Sequence, residues 1–175
     1  RPKVVFQPDV HRGILKGMAQ IVSAVRPTLW PYPRIVLYDK TLSDKGRIPE
    51  FLDDGGTIAR RIIQIPGRDR DVGAMIARHM LWTVREEVGD GTATAAVILK
   101  TAYEEGVRYL TSGGNAMRLR VYLEQGLREI LDELDQRAFR IGGKDELTRL
   151  AIAVTREPEL GELLGEIFDI IGEYG

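Results

Sequence analysis

The octapeptide Gly89-Asp90-Gly91-Thr92-Ala93-Thr94-Ala95-Ala96 sets a carboxylate between two glycines and follows it with two hydroxyls where an apolar-periodic helix begins. Each residue type has a use toward phosphate. Glycines let a backbone approach a ligand closely, and the N–H groups of a first helical turn, with the positive end of the helix dipole, attract phosphate oxygens. Thr92 and Thr94 add hydroxyl donors. Asp90 opposes bare phosphate, yet it is a good hard-oxygen ligand for a Mg²⁺ ion bridging protein and nucleotide. The same residues also read as an ordinary helix cap, since Asp or Thr after glycine satisfies a first turn without any ligand. The octapeptide by itself leaves the two readings level. It is neither a Walker loop nor a dinucleotide fingerprint, because no Gly-Lys-Ser/Thr follows the glycine and a helix, not a strand, precedes it.

Such a turn has to be held by other elements. Asp9, after Pro8, is the predicted cap of a first helix in which Val10, Ile14, Met18, Ile21, Val22 and Val25 recur at three- and four-residue steps, stopping before Pro27. Trp30-Pro31-Tyr32-Pro33 reads as a loop, because proline lacks an N–H and disfavours helical geometry in the residue before it. Ile35-Val36-Leu37-Tyr38 and residues 48–52 are predicted strands of a hairpin turning at Ser43-Asp44-Lys45-Gly46, with Pro49 marking an edge. From Thr57 the pattern is helical. After Pro66-Gly67, Val72, Met75, Ile76, Met80 and Thr83 are the predicted inner face of a helix ending near Gly89, and Ala95, Ile98, Leu99, Ala102 and Tyr103 that of the next, which ends by Ser112-Gly113-Gly114-Asn115. Leu119, Leu123, Leu127, Ile130 and Leu134 stripe a long helix in a segment closed by Gly142-Gly143. Leu160, Leu163, Leu164, Ile167, Phe168 and Ile171 stripe a last one, begun at Pro158. The fold class is mainly α, a multihelical domain with one small β-hairpin.

Composition narrows the partners. The chain of 175 residues is 43% hydrophobic and 29% charged with net charge −1, which suits a globular domain and gives no global field toward nucleic acid or an anionic membrane. Neither partner is expected. With no cysteine, disulfides, thiol catalysis and Cys-based zinc sites are excluded. No signal-peptide core or transmembrane stretch is visible, so the cytoplasm is the default location; the first residue is not methionine, which suggests a trimmed start. His11 and His79 lack ligand-spaced partners and receive no role. Arg68-Asp69-Arg70-Asp71 reads as a solvated loop, and Trp82 and Tyr122 as packing residues.

A family resemblance joins these pieces. Gly89 to Thr94 resembles the phosphate-binding loop of the Hsp60 chaperonin family, Gly-Asp-Gly-Thr-Thr-Thr. In order along the chain, Thr28-Leu29-Trp30-Pro31 resembles its Thr-Leu-Gly-Pro, Val36-Leu37-Tyr38-Asp39-Lys40 the strand that follows, and Asp54-Gly55-Gly56-Thr57-Ile58-Ala59-Arg60 its Asp-Gly-Val-(Ser/Thr)-Val-Ala-Arg. Gly113-Gly114-Asn115-Ala116-Met117 is similar to its Gly-Met-Asn-Pro-Met, and residues 161–175 align without a gap. The resemblance implies a divergent group I (GroEL-type) subunit segment: residues 1–135 the N-terminal part of the equatorial, ATP-binding domain, and 136–175 the start of the intermediate domain.

It also implies ATP and Mg²⁺ as cofactors. Thr28, Leu29, Trp30 and Pro31, with Asp53 and Gly55, would line the nucleotide pocket; Gly91, Thr92, Ala93 and Thr94 would meet phosphates, Asp90 would bind Mg²⁺, and Asp54 would orient the attacking water. From the residues alone, Asp54 reads as a turn residue before Gly55-Gly56. The implied partners are further copies in a ring, unfolded client proteins and a cochaperonin. ATPase activity is expected of a whole subunit and little of it from these residues alone, where uncovered apolar helix faces favour self-association or partial disorder.

The departures fall in the pocket: Trp30 for glycine, Pro33 for a second glycine, Asp53 for lysine, Ala93 for a hydroxyl, and a longer segment between Lys40 and Asp54. They motivate an alternative, a chaperonin-like structural or interaction protein that has lost ATP hydrolysis. A third reading is a helical domain with no nucleotide role.

Overall fold

A computed structural model of the chain describes residues 4, 6–29, 34–39 and 49–172. Trp30, Pro31, Tyr32, Pro33, Lys40 and the expected hairpin turn at Ser43 to Gly46 lie outside them. The helices are α1 (Asp9–Val25), α2 (Gly55–Arg61), α3 (Arg68–Val88), α4 (Thr92–Thr111), α5 (Ala116–Arg137), α6 (Lys144–Thr155) and α7 (Pro158–Ile171), and the strands β1 (Val36–Tyr38) and β2 (Glu50–Leu52). The strands pair antiparallel with Leu37 opposite Phe51, so the mainly helical class with one small two-stranded sheet holds. None of the described helices is long and apolar enough to cross a membrane.

Two compact units divide the chain, residues 1–119 and 120–175. In the first, α1 contributes Met18, Ile21, Val22 and Val25 to a core completed by Ile58 and Ala59 of α2, Ile65 of the connection that follows it, Ala74, Ala77 and Leu81 of α3, and Ala93 and Ala96 of α4. Full burial of a side chain such as Leu81 contributes about 1.5–3 kcal/mol. A half-buried His11 adds a polar tie from α1 to α4, its Nδ1 lying 3.0 Å from the Tyr103 hydroxyl.

The inner face of α3 differs from the expected one. Gly73, Ala74, Ala77 and Leu81 are buried, whereas Val72, Met75 and Ile76 are exposed. The cause is the closeness of α1 and α3: a Cβ on Gly17 would run into the Arg70 carbonyl oxygen, and one on Gly73 into the Ile14 carbonyl oxygen. Backbones that touch leave no room for large side chains, so the contact face is built of the small residues that a hydrophobic count passes over. On α4, likewise, Ala96 is buried and Ala95, Leu99 and Tyr103 pack on the core, but Ile98 and Ala102 are exposed.

Further expectations are corrected at helix ends. Asp9 does not cap α1: it lies inside the first turn, paired with Arg12 at 3.1 Å, and Pro8 holds the cap position. Residues 68–71 are not a loop but the first turn of α3, where Asp71 Oδ1 accepts the Ile65 N–H at 3.1 Å. The long helix ends at Arg137, and Gly143 precedes an additional helix, α6.

In the second unit α6 and α7 pack on each other where Gly161 and Gly165 meet Ile152 and Thr148. Most apolar residues of α7, Leu163, Phe168 and Ile171 among them, are exposed, while Leu164 is half-buried. The α5 stripe of Leu123, Leu127, Ile130 and Leu134 is exposed as well, and so is Tyr122, which is no packing residue here.

Candidate nucleotide site

A cleft in the first unit is lined by Thr28, Leu29, Asp53, Asp54, Gly55, Gly89, Asp90, Gly91, Thr92, Ala93 and Thr94, together with Arg85. Its volume of about 580 Å³ lies in the range of small-molecule sites. Every described residue assigned to the site from sequence lies on this one surface, although the segments that carry them are far apart in the chain. Trp30 and Pro31 fall outside the described residues.

The α3–α4 junction reverses the chain with two left-handed glycines, Gly89 at φ 85° and Gly91 at φ 80°, a region that residues with a Cβ enter at a cost. Gly89 donates its N–H to the Arg85 carbonyl at 3.0 Å, closing α3. Gly91 then holds the cap position of α4, and no side chain caps that helix. Asp90 Oδ1 accepts the Gly91 N–H at 2.6 Å and reaches no further into the first turn. The ordinary-cap reading of the octapeptide is therefore not the arrangement found. Thr92 and Ala93 are buried, while Asp90 and Thr94 are exposed.

Asp54 is arranged differently. It caps α2, with Oδ1 accepting the Gly56 N–H at 3.2 Å and Oδ2 the Thr57 N–H at 2.8 Å and the Thr57 hydroxyl at 2.5 Å. Oδ2 also receives Arg85 Nε at 2.6 Å. Partial burial works to raise its pKa, yet the bonds from the Thr57 hydroxyl and N–H, from Arg85 and from the Gly56 N–H outweigh it and hold the carboxyl below its ordinary 3.8. A group whose folded pKa is lowered contributes stability above its unfolded pKa and loses it as pH falls through the folded value. Asp54→Asn lacks that contribution already at neutral pH, so its melting temperature is expected to fall less steeply than that of the unmodified protein between about pH 5 and about pH 2.

Arg85 was not found from sequence. It sits one turn before Gly89, and its pairing with a carboxylate 31 residues away follows only from the approach of α2 to α3. Trp82, half-buried, is overlaid by Arg60 at 4.0 Å and by Arg85 at 5.2 Å from its ring centroid. Thr28 is buried and donates its hydroxyl to the Val25 carbonyl at 2.8 Å, which turns the chain from α1 toward the cleft.

Among the described residues no three His, Cys, Asp or Glu side chains form a metal cluster. Mg²⁺ carried by a nucleotide needs no such cluster, since one or two carboxylates, phosphates and water complete its shell. Among the described lining residues, Asp53, Asp54 and Asp90 against the cation Arg85 give a net negative charge, which disfavours a bare polyphosphate and is eased where a cation accompanies it.

No protein-family model matches the sequence. Solved structures do match the fold. The chaperonin gp146 of bacteriophage EL (Pseudomonas aeruginosa), crystallised in the presence of ATP-BeFx, aligns over 93% of this chain and 28% of its own with TM-score 0.71 at 19% identity. A second crystal form of it aligns over 97% of this chain and 29% of its own with TM-score 0.71 at 18% identity. A group III chaperonin in the open state aligns over 94% of this chain and 32% of its own with TM-score 0.72 at 20% identity. The chain has a chaperonin fold and spans less than a third of the length of these subunits. Because a group III protein is among them, what is shared is the chaperonin fold at large, not the mark of the Hsp60 group.

Proposed function

We propose that this chain is part of an ATP-dependent protein-folding chaperonin subunit and that the cleft at the start of α4 binds Mg·ATP. The observation that carries the reading is the convergence, on one cleft, of a helix start without a side-chain cap, an exposed Asp90 beside it and Asp54, the ionised cap of α2. The first-turn amides of α4 and the Thr94 hydroxyl would donate to phosphate oxygens, and Asp90 would hold the metal. Thr28 and Leu29 would form a wall against the nucleotide, and Asp54 would accept a proton from the attacking water and so orient it. Mg²⁺ supplies neutralisation of the phosphate charge when bound.

The finer assignment is also ours: a group I, Hsp60-type subunit, with residues 1–135 in the equatorial domain and 136–175 opening the intermediate domain, working in the cytoplasm in homo-oligomeric rings on unfolded clients, with a cochaperonin. The exposed stripes of α5 and α7 suit faces covered by the rest of such a subunit or by its neighbours. Calorimetric titration is the test. Saturable binding is expected with Mg·ATP and not with ATP in EDTA, weakened about tenfold or more in Asp90→Ala, as loss of a charged ligand contact implies. Unchanged affinity in that variant would remove Asp90 from the site.

One observation favours a second reading, binding without turnover. Asp53 adds a negative charge to the cleft at the position where the resembled family has a lysine. Steady-state phosphate release by the whole subunit decides between the two, turnover dismissing the second reading and its absence with intact Mg·ATP binding establishing it.

A further inference from the structure

We propose that Arg85 is the positioning residue of this cleft, an arm on α3 that fixes Asp54 by one carboxylate oxygen and so reserves the other for the attacking water, an inference that rests on the nucleotide reading above. Arg85 Nε donates to Asp54 Oδ2 at 2.6 Å, and the Thr57 N–H and hydroxyl reach the same oxygen at 2.8 and 2.5 Å. Among the described residues Oδ1 accepts only the Gly56 N–H, at 3.2 Å. A carboxylate oxygen offers about two lone-pair sites, so Oδ2 is saturated and Oδ1 keeps capacity. Donors from two helices on one oxygen also oppose rotation of the carboxylate, which keeps that capacity on one side.

The arm is itself held. Its stem lies so close over Gly56 that a Cβ there would fall 2.5 Å from Arg85 Cδ and 2.9 Å from its Cβ. The guanidinium lies over the Trp82 ring, and Glu86 Oε1 stands 3.6 Å from Nη1. Among the described residues lining the cleft Arg85 is the one cation, beside the carboxylates of Asp53, Asp54 and Asp90 in the same lining. It therefore also offsets carboxylate repulsion and favours the ionised Asp54 that a water-orienting role needs. Arginine suits the task better than lysine, because its planar fork can give Nε–H to Asp54 while Nη1 faces Glu86.

The test compares Arg85→Met, Arg85→Lys and Gly56→Ala, the last of which displaces the arm while leaving every charge in place. One readout is the Asp54 carboxyl titration followed by carbon NMR without nucleotide, and the other is Mg·ATP affinity set against turnover in the whole subunit. Arg85→Met and Gly56→Ala are expected to raise the Asp54 midpoint and to lower turnover about tenfold or more with affinity within about twofold, while Arg85→Lys recovers part of the rate. An Asp54 midpoint unmoved in all three would overturn the proposal. So would an affinity loss as large as the turnover loss, which would put Arg85 on the ligand itself. The two readings fail separately: absence of Mg·ATP binding sinks the nucleotide assignment, and the Asp54 titration still judges the clamp.

Discussion

Gly17→Ala is expected to destabilise the protein by about 3 kcal/mol, lowering its melting temperature by about 10 °C. A single methyl group has this effect because of what it meets. The added Cβ would overlap the Arg70 carbonyl oxygen and lie 2.8 Å from the Ala74 backbone nitrogen. Neither atom can rotate aside as a side chain would, so α1 and α3 must separate, and with them the contacts of Met18, Ile21, Ala74 and Ala77. Gly126→Ala is the matched control. Nothing lies within 4 Å of a Cβ built there, in the middle of α5, so the better helix former should stabilise by about 0.5–1 kcal/mol. Thermal melts of the two variants decide the matter, and equal effects of the same sign would show that α1 and α3 are not in backbone contact.

That contact also explains why the helices were easier to read than their faces. Helix α1 presents Met18, Ile21, Val22 and Val25 inward, as its spacing predicts, because there the core side of the helix is made of large apolar residues. On α3 the periodicity of Val72, Met75, Ile76 and Met80 is real, but it marks a face that is largely exposed in this chain, and the packed face is Gly73, Ala74 and Ala77. Hydrophobic counting reads the size of side chains, and a close helix pair is built from their absence. Helix α6 escaped for a related reason: it starts at a glycine with no side-chain cap and has no buried residue, so Asp145 and Glu146 in its first turn are its start signal and no buried stripe follows them.

In the cleft, the residues joined by sequence proximity were legible and the pairing across elements was not. Gly89 to Thr94 carries its chemistry in one run, and its two left-handed glycines follow from the turn it makes. Asp54 could be read as a water-orienting residue by resemblance and as a turn residue by local chemistry, and it does cap α2. A cap and a cleft-lining carboxylate are compatible because the two oxygens divide the donors unequally. The role of Arg85 depends on Gly56 admitting its stem, a condition no one-dimensional pattern expresses.

Gly55→Ala is the second large effect expected, and it links core to cleft. A Cβ at Gly55 would fall 2.6 Å from Val25 Cγ1, which is fully buried at the end of α1, and 2.7 Å from Thr92 Oγ1, which opens α4. Three element ends meet at this glycine, and the start of α4 has to move if the methyl group is to fit. The variant is expected to lose about 2–3 kcal/mol of stability and, on the nucleotide reading, Mg·ATP affinity by about tenfold or more. Asp90→Ala should lose affinity with little change in melting temperature, because Asp90 is exposed and contributes no core contact. Val25→Ala opens space on one side of the added methyl group, so the Gly55→Ala/Val25→Ala double variant should cost less than the sum of the two single changes. Strict additivity in melts, with Mg·ATP affinity unchanged in Gly55→Ala, would mean that the start of α4 is not set by this junction. The first-turn amides would then owe their placement to the Gly89-Asp90-Gly91 turn alone.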